Sequence, residues 1–330
     1  MNAESDLFLS CVIPVHNEEK LIGRFLQQLS AKLQEETNSY EIVIVDDGSN
    51  DCTVDQIRKV LPELPVRLIR LSRNFGKEAA LTAGLNKAHG KIVITMDADF
   101  QHPIDVISEL IANWRKGYQM VYAVQHSRVH EGIIKRTITN LFYRFLKLTS
   151  GRDIPINAGD FRLMDRDVVE AIKKLSERKR FMKGIYAWVG FNTKSITFDV
   201  GKRADGSSRW NKLKLINLAL TGITSFTELP LRMVALLGIF IAFLAVIFGL
   251  YILGSTLLFG SHVPGWPTLI DIVAFMGGLQ MFAIGVLGEY IAGIFSEVKR
   301  RPVYIIASEE SESKIKNKVS SSQSDSQSEV

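Results

Sequence analysis

Two aspartates one residue apart, Asp97 and Asp99 in MDADFQHP (96–103), close an apolar run. Carboxylates are hard oxygen ligands. Paired at a strand end, they suit Mg²⁺ or Mn²⁺, which keeps waters and substrate phosphates as its remaining ligands. The chemistry on offer is cation binding to a diphosphate. The two acids are expected to face opposite sides of the strand end, one on the metal and the other on a ribose or a metal-bound water. Taken alone, Asp-x-Asp is a weak signal, because most such tripeptides are turns or helix starts. Four further polar clusters accompany it: IPVHNEE (13–19), VDDGSNDCT (45–53), LSRNFGKEAALTAGL (71–85) and NAGDFRLMDRD (157–167).

The segments between these clusters must position them. FLSCVIPV (8–15), YEIVIV (40–45), VRLIRL (66–71) and KIVITM (91–96) are short and rich in β-branched residues, and read as strands. EEKLIGRFLQQLSAKLQ (18–34), the stretch from Asp51 and GKEAALTAGLNKAHG (76–90) read as helices. Alternating strand and helix predicts a mostly parallel, Rossmann-like α/β sheet with helices on both faces. Ligands of such sheets collect at the carboxyl ends of strands, where the polar clusters fall.

The 330 residues allow a sizeable domain and more, with a net charge of +5. Cys11 and Cys52 read as two free buried thiols in a reducing compartment. The first ten residues lack the basic start of a signal peptide, so the N-terminal part is expected in the cytosol. From Met233 to Gly260 no residue is charged, and a second apolar run follows Asp271. Both are long enough to cross a bilayer. Arg232 precedes the first run, and Lys299, Arg300 and Arg301 follow the second. The positive-inside rule then puts both ends in the cytoplasm and SHVPGWP (261–267) outside. Residues 133–150 and 207–226 mix Lys and Arg with Leu and Phe, a pattern suited to a membrane surface. The Ser-rich tail is expected to be disordered from about residue 308. There is no internal repeat, and no nucleic-acid partner is expected.

The five motifs, in this order, resemble the inverting family 2 glycosyltransferases with a GT-A fold. The membrane hairpin, with GKRADGSSRW (201–210) and SFTELPLR (225–232), narrows the resemblance to the GtrB-like bactoprenol (polyisoprenyl-phosphate) glucosyltransferases. It covers about residues 8–305. It implies a GT-A domain over 1–206, interfacial helices over 207–232, two transmembrane helices within 233–298 (about 233–258 and 269–295) and a cytoplasmic tail over 299–330. It implies a multi-pass protein of the bacterial inner membrane that moves a hexose, glucose first, from a UDP-sugar to undecaprenyl phosphate. Mannose, GlcNAc, galactose and formamido-arabinose are the other donor sugars. A non-catalytic scaffold would not keep Asp97, Asp99, Asp160 and Arg203, and a processive synthase would carry a QxxRW motif and more spans. A homotetramer is implied as well.

By the same resemblance Pro14, His16 and Glu18 hold the nucleotide, His16 standing where the family usually has Tyr. Asp46, with Asp47 beside it, meets the uridine. Asp97 lies near ribose and metal, Asp99 is the principal metal ligand and Gln101 a second polar one. Asp160 is a catalytic base or an acid that positions the acceptor. Arg203 meets the donor diphosphate or the acceptor phosphate, a task suited to a bidentate, permanently charged guanidinium. Arg128, Lys135 and Arg136 lie where the family binds the lipid phosphate. Arg162 reads as an ion-pair partner, His102 as a surface variation, and Arg73 and Lys77 as nucleotide-side or structural groups.

Overall fold

The computed structural model describes residues 7–125, 158–178, 180–198, 229–259 and 265–311. Arg128, Lys135, Arg136, Arg203 and both basic amphipathic stretches lie outside the described residues. Among those described, the chain runs β1 (Leu9–Val15), α1 (Ile22–Glu36), β2 (Tyr40–Asp46), α2 (Thr53–Val60), β3 (Val66–Leu71), α3 (Lys77–Lys87), β4 (Ile92–Thr95), α4 (Val106–Arg115) and β5 (Met120–Gln125). It continues with β6 (Ala158–Asp165), α5 (Arg166–Lys174), α6 (Met182–Trp188), β7 (Thr193–Phe198), α7 (Leu229–Phe259), α8 (Trp266–Val298) and β8 (Ile306–Ser311). The four strands and three helices expected up to residue 96 all form.

The strands join one sheet in the order β7-β5-β6-β4-β1-β2-β3-β8. β4, β1, β2 and β3 pair in parallel, as do β5 and β7. β6 runs against both its neighbours, and β8 runs against β3. The chain moves outward from β1 through β2 to β3, then returns to the other side of β1 for β4. This reversal opens a crevice between the carboxyl ends of β1 and β4, the usual ligand position in such sheets. Because β6 is antiparallel, its start falls at the same edge, which is how Asp160 joins residues that precede it by some sixty positions.

The core lies on both faces of the sheet. Cys11, Ile13, Phe25, Leu29, Ile42, Ile44 and Ile107 pack on one side, and Val12, Val43, Val45, Ala80, Ala83 and Val168 on the other. α3 lies close on the second face because Gly84 has no side chain: a Cβ there would stand 2.2 Å from Val12 Cγ1. Cys11 is free and buried, but Cys52 is free and exposed. It sits at the surface N-terminus of α2, which corrects the expectation of two buried thiols.

The two long helices are mostly apolar, the first carrying Arg232 near its start and the second Asp271, Glu289 and Glu297, and side chains such as Leu250 (64% exposed) and Tyr251 (69% exposed) are left uncovered by the described residues. Pro230–Ile252 and Phe275–Val298 are long and apolar enough to cross a membrane. A long apolar helix whose side chains are so little covered by the described residues suits a bilayer better than a soluble core.

The tail departs from expectation. Residues 306–311 form β8 instead of the coil expected from about 308. β3 offers an unpaired edge with cations beside it, and the acids of the tail answer them: Glu310 meets Arg58 at 2.6 Å, and Glu309 meets Lys87 at 2.9 Å and Arg67 at 4.0 Å.

Candidate active site

Five segments meet at the carboxyl edge. The turn after β1 is stitched to the loop after β2. Asn17, at φ 57°, donates its N–H to Ser49 Oγ (2.9 Å), and its Oδ1 accepts from the N–H of Asn50 (2.9 Å). Glu18 donates its N–H to Thr53 Oγ1 (2.8 Å). His16 Nε2 lies 3.2 Å from the side-chain amides of both Asn17 and Asn74.

Asp46 and Asp47 are neighbours at a strand end, so their side chains diverge. Asp46 is fully buried, accepts from the N–H of Ser49 (3.1 Å) and faces Arg70 at 3.5 Å. Asp47 turns the other way and accepts from the N–H groups of Phe75 (2.7 Å) and Gly76 (2.9 Å), fixing the entry to α3. Burial pushes its carboxyl above the usual range, against those two hydrogen bonds. Gly48, at φ 68°, lets this loop close, since a Cβ there would stand 2.6 Å from the Arg73 carbonyl carbon.

β4 ends at Thr95, so Asp97 and Asp99 both lie beyond the strand. Both line one cleft, which overturns the expectation that they face opposite sides. Asp99 Oδ1 accepts from the N–H of Gln101 (3.0 Å). Phe100, at φ 58°, sends its ring back against Phe25 (centroids 5.3 Å apart), which anchors the turn to the core. Asp160, at the start of β6, accepts through its backbone carbonyl from the Thr95 hydroxyl. The cleft encloses about 370 Å³, the scale of a small-molecule site. Pro14, His16, Glu18, Asp47, Asp97 and Asp99 line it, together with Asn74 and Lys77. Asp46, fully buried, and Gln101 do not line it.

Lys77 is the centre of the charge arrangement. Its Nζ lies 2.7 Å from Asp97 Oδ1, 2.8 Å from Asp97 Oδ2 and 2.7 Å from Asp160 Oδ2. Desolvation in the cleft would lower the lysine, although 43% of its side chain stays open to solvent, but the two carboxylates hold it well above its ordinary value. Burial alone would likewise raise Asp160; Lys77 outweighs it and holds that carboxyl below the usual range. Glu78, next on the helix, is pushed up to about 7 by burial and by the charge of Asp160, although it accepts the N–H of Met182 (3.2 Å).

The other expectations divide. The Arg162 guanidinium lies 3.5 Å over the Tyr186 ring and donates to the Gly159 carbonyl (2.7 Å) and to Met120 Sδ (3.6 Å); it feels the charge of Asp160 but makes no salt bridge with it among the described residues. His102 is not a surface variation. Its ring packs against Phe161 and Phe198 (centroids 5.0 and 5.7 Å away), burial lowers its pKa, and its Nδ1 is buried without a hydrogen-bond partner among the described residues.

Residues 10–173 match the family model described as glycosyl transferase family 2. The SfII prophage-derived bactoprenol glucosyl transferase of Shigella flexneri is 44% identical over 299 residues, covering 90% of this chain and 97% of that one. The chain belongs to glycosyl transferase family 2. An uncharacterized glycosyltransferase of Synechocystis is 43% identical over 300 residues, covering 91% of this chain and 94% of that one. Among solved structures, glucosyl-3-phosphoglycerate synthase from Mycobacterium tuberculosis aligns with a TM-score of 0.46 and 17% identity, over 67% of this chain and 79% of that one. The chain is a glycosyltransferase with a GT-A-like mixed sheet and two C-terminal helices that are candidate membrane spans.

A divalent cation in this cleft would find two protein carboxylates among the described residues, Asp97 and Asp99, and Asp97 is engaged by a lysine. Mg²⁺ and Mn²⁺ fit such a set, because they bind through one or two carboxylates and take the rest from substrate phosphates and water. The reading from sequence named the acids but missed the Lys77 bridge. A signal was present: a lysine in the first turn of a helix, just after Gly76, stands against the helix dipole and needs a nearby anion to hold it there.

Proposed function

We propose that the protein transfers glucose from UDP-glucose to undecaprenyl phosphate, with inversion, at the cytoplasmic face of a bacterial inner membrane. The observation that carries this is the joining, in one chain, of an acidic cleft and an apolar hairpin, in a sequence 44% identical to a bactoprenol glucosyl transferase over nearly its full length. Both termini lie in the cytoplasm on this reading, and the product serves surface polysaccharide such as O-antigen. A homotetramer remains the proposed assembly.

The lipid phosphate oxygen attacks the anomeric carbon as the bond to UDP breaks. A phosphate monoester has its second pKa near about 6, so it is mostly a dianion at neutral pH and needs no strong base. Asp160, held ionised by Lys77, therefore positions the reactants instead of taking a proton. Asp47, His16 and Glu18 face the nucleotide side of the cleft. Mg²⁺ or Mn²⁺ held by Asp99 and Asp97 would neutralise the departing diphosphate. Arg203 is assigned to the phosphates, and Arg128, Lys135 and Arg136 to the lipid phosphate. Asp46 and Gln101 support the loops that present the acids.

Membranes containing the protein are incubated with a panel of radiolabelled nucleotide sugars and extracted for lipid. Label from UDP-glucose in the polyprenyl-phosphate fraction is the expected result. Label from another sugar nucleotide alone corrects the donor. No lipid-linked label from any donor defeats the reading.

A further inference from the structure

Both carboxylate oxygens of Asp97 face the same ammonium, at 2.7 and 2.8 Å, and that ammonium also holds Asp160 at 2.7 Å. Asp99 makes no such pair among the described residues; its Oδ1 accepts from a backbone N–H. A divalent cation approaching this pair of aspartates meets one acid already neutralised and a positive charge beside it. Like charges at such range repel strongly where solvent is partly excluded. The lysine is tied at two points, so loss of the Asp97 contact leaves it anchored to Asp160.

We propose that Lys77 is a built-in competitor of the donor's divalent cation: it occupies Asp97 until the metal and the nucleotide diphosphate arrive together, then withdraws to Asp160. The inference rests on the cation-assisted reading given above. The diphosphate is what tips the exchange, because its negative charge screens the lysine from the metal and gives the ammonium a second anion to meet. Metal alone is then held poorly, and metal with nucleotide is held well. Lys77 is a positioning residue in this scheme. It times the release of Asp97 and keeps Asp160 fixed through the exchange.

The test is Mn²⁺ binding to the full chain in detergent, read by calorimetry or electron spin resonance, with and without UDP. Lys77→Gln removes the competitor, so Mn²⁺ alone should bind at least about tenfold more tightly than to the wild type. The gain on adding UDP should shrink, and turnover should fall because Asp160 loses its anchor. Lys77→Arg keeps a cation there and should leave Mn²⁺ weak. An unchanged or weaker Mn²⁺ affinity in Lys77→Gln, with Mn²⁺ and UDP still binding the wild type together, overturns the role of Lys77 alone. Failure of the wild type to bind Mn²⁺ with UDP at all overturns the cation reading beneath it. If Lys77→Gln does not accumulate as folded protein, trace acetylation of the wild type reads the same exchange. Mn²⁺ with UDP should speed labelling of Lys77 severalfold over UDP alone and leave Lys87 unchanged; equal rates at Lys77 with UDP alone and with Mn²⁺ and UDP together reject the exchange.

Discussion

Helix α3 carries one lysine in its first turn and another in its last, and they serve different ends. Lys87 meets Glu309 of β8 at 2.9 Å; Lys77 meets Asp97 and Asp160, each at 2.7 Å. The distances hardly differ, but the electrostatic settings do. A cation in a last turn faces the negative end of the helix dipole and is favoured there; one in a first turn faces the positive end and is not. Lys87 therefore follows the local rule and closes a sheet edge. Lys77 breaks it, and among the described residues Asp97 and Asp160, the acids proposed above for the chemistry, hold it there. A charge placed against its own helix points to function, and one placed with it points to the fold.

That contrast breaks first, and by the largest margin, at the acids near Lys77. Asp99→Asn should reduce transfer by about a thousandfold, because it removes the cleft carboxylate that no lysine among the described residues occupies and that is proposed to hold the cation. The protein should still insert and keep its unfolding midpoint. Glu309→Gln at the other end of α3 should leave the rate of transfer within about twofold, as expected of a partly exposed pair. Lipid-linked product formation by purified protein, beside a thermal melt, measures both. An inactive Glu309→Gln, or a fully active Asp99→Asn, would erase the distinction between the two ends.

Deleting residues 306–330 should act on stability more than on chemistry. It strips the partner from β3 and leaves Arg58, Arg67 and Lys87 without Glu309 and Glu310. A loss of about 2 kcal/mol, a drop of roughly 4–8 °C in midpoint, is expected, with aggregation through the bared edge. An unchanged melt would mean that β8 rests on the sheet without supporting it.

How far the sequence could be read follows the same divide. The parallel half of the sheet was legible because β-branched runs alternate with amphipathic helices, and each run stops at a turn cluster. β8 was not, because IASEES has the composition of a disordered tail; only the unpaired edge and basic flank of β3, far away in sequence, make it a strand. The acids of the cleft were legible as types, but their directions were not. Asp46 and Asp47 look equivalent on paper, yet one is committed to Arg70 and the other to the cleft. His102 looked like a surface change because its neighbours Phe161 and Phe198 come from two other strands.

Glu78 sharpens the comparison through pH. Its carboxyl holds a proton up to about 7 in the folded protein, against 4.5 for an ordinary glutamate. The protonated form is thus favoured by folding. Its stabilising effect is complete below pH 4.5, fades between 4.5 and 7, and is gone above that. Glu78→Gln, which can still accept the Met182 N–H, should raise the unfolding midpoint by about 3 °C at pH 8 and leave it unchanged at pH 4. Melts of both proteins across that range decide it. A gain that persists at pH 4 would place the effect outside the charge.

The smallest effect belongs to Lys87. Its pair with Glu309 is partly exposed, with a third of the lysine and a quarter of the acid open to solvent, so water already competes for both charges. Such pairs contribute about 0.5 kcal/mol, and salt screens them further. Glu309 also keeps Arg67 within reach at 4.0 Å, which softens the loss. Lys87→Ala should therefore lower the midpoint by no more than about 2 °C in low salt and by less than that at 0.5 M NaCl. A salt-independent loss of several degrees would show that Lys87 acts through the packing of its stem against the strand pair, and the two lysines of α3 would then differ in what they cover as well as in what they neutralise.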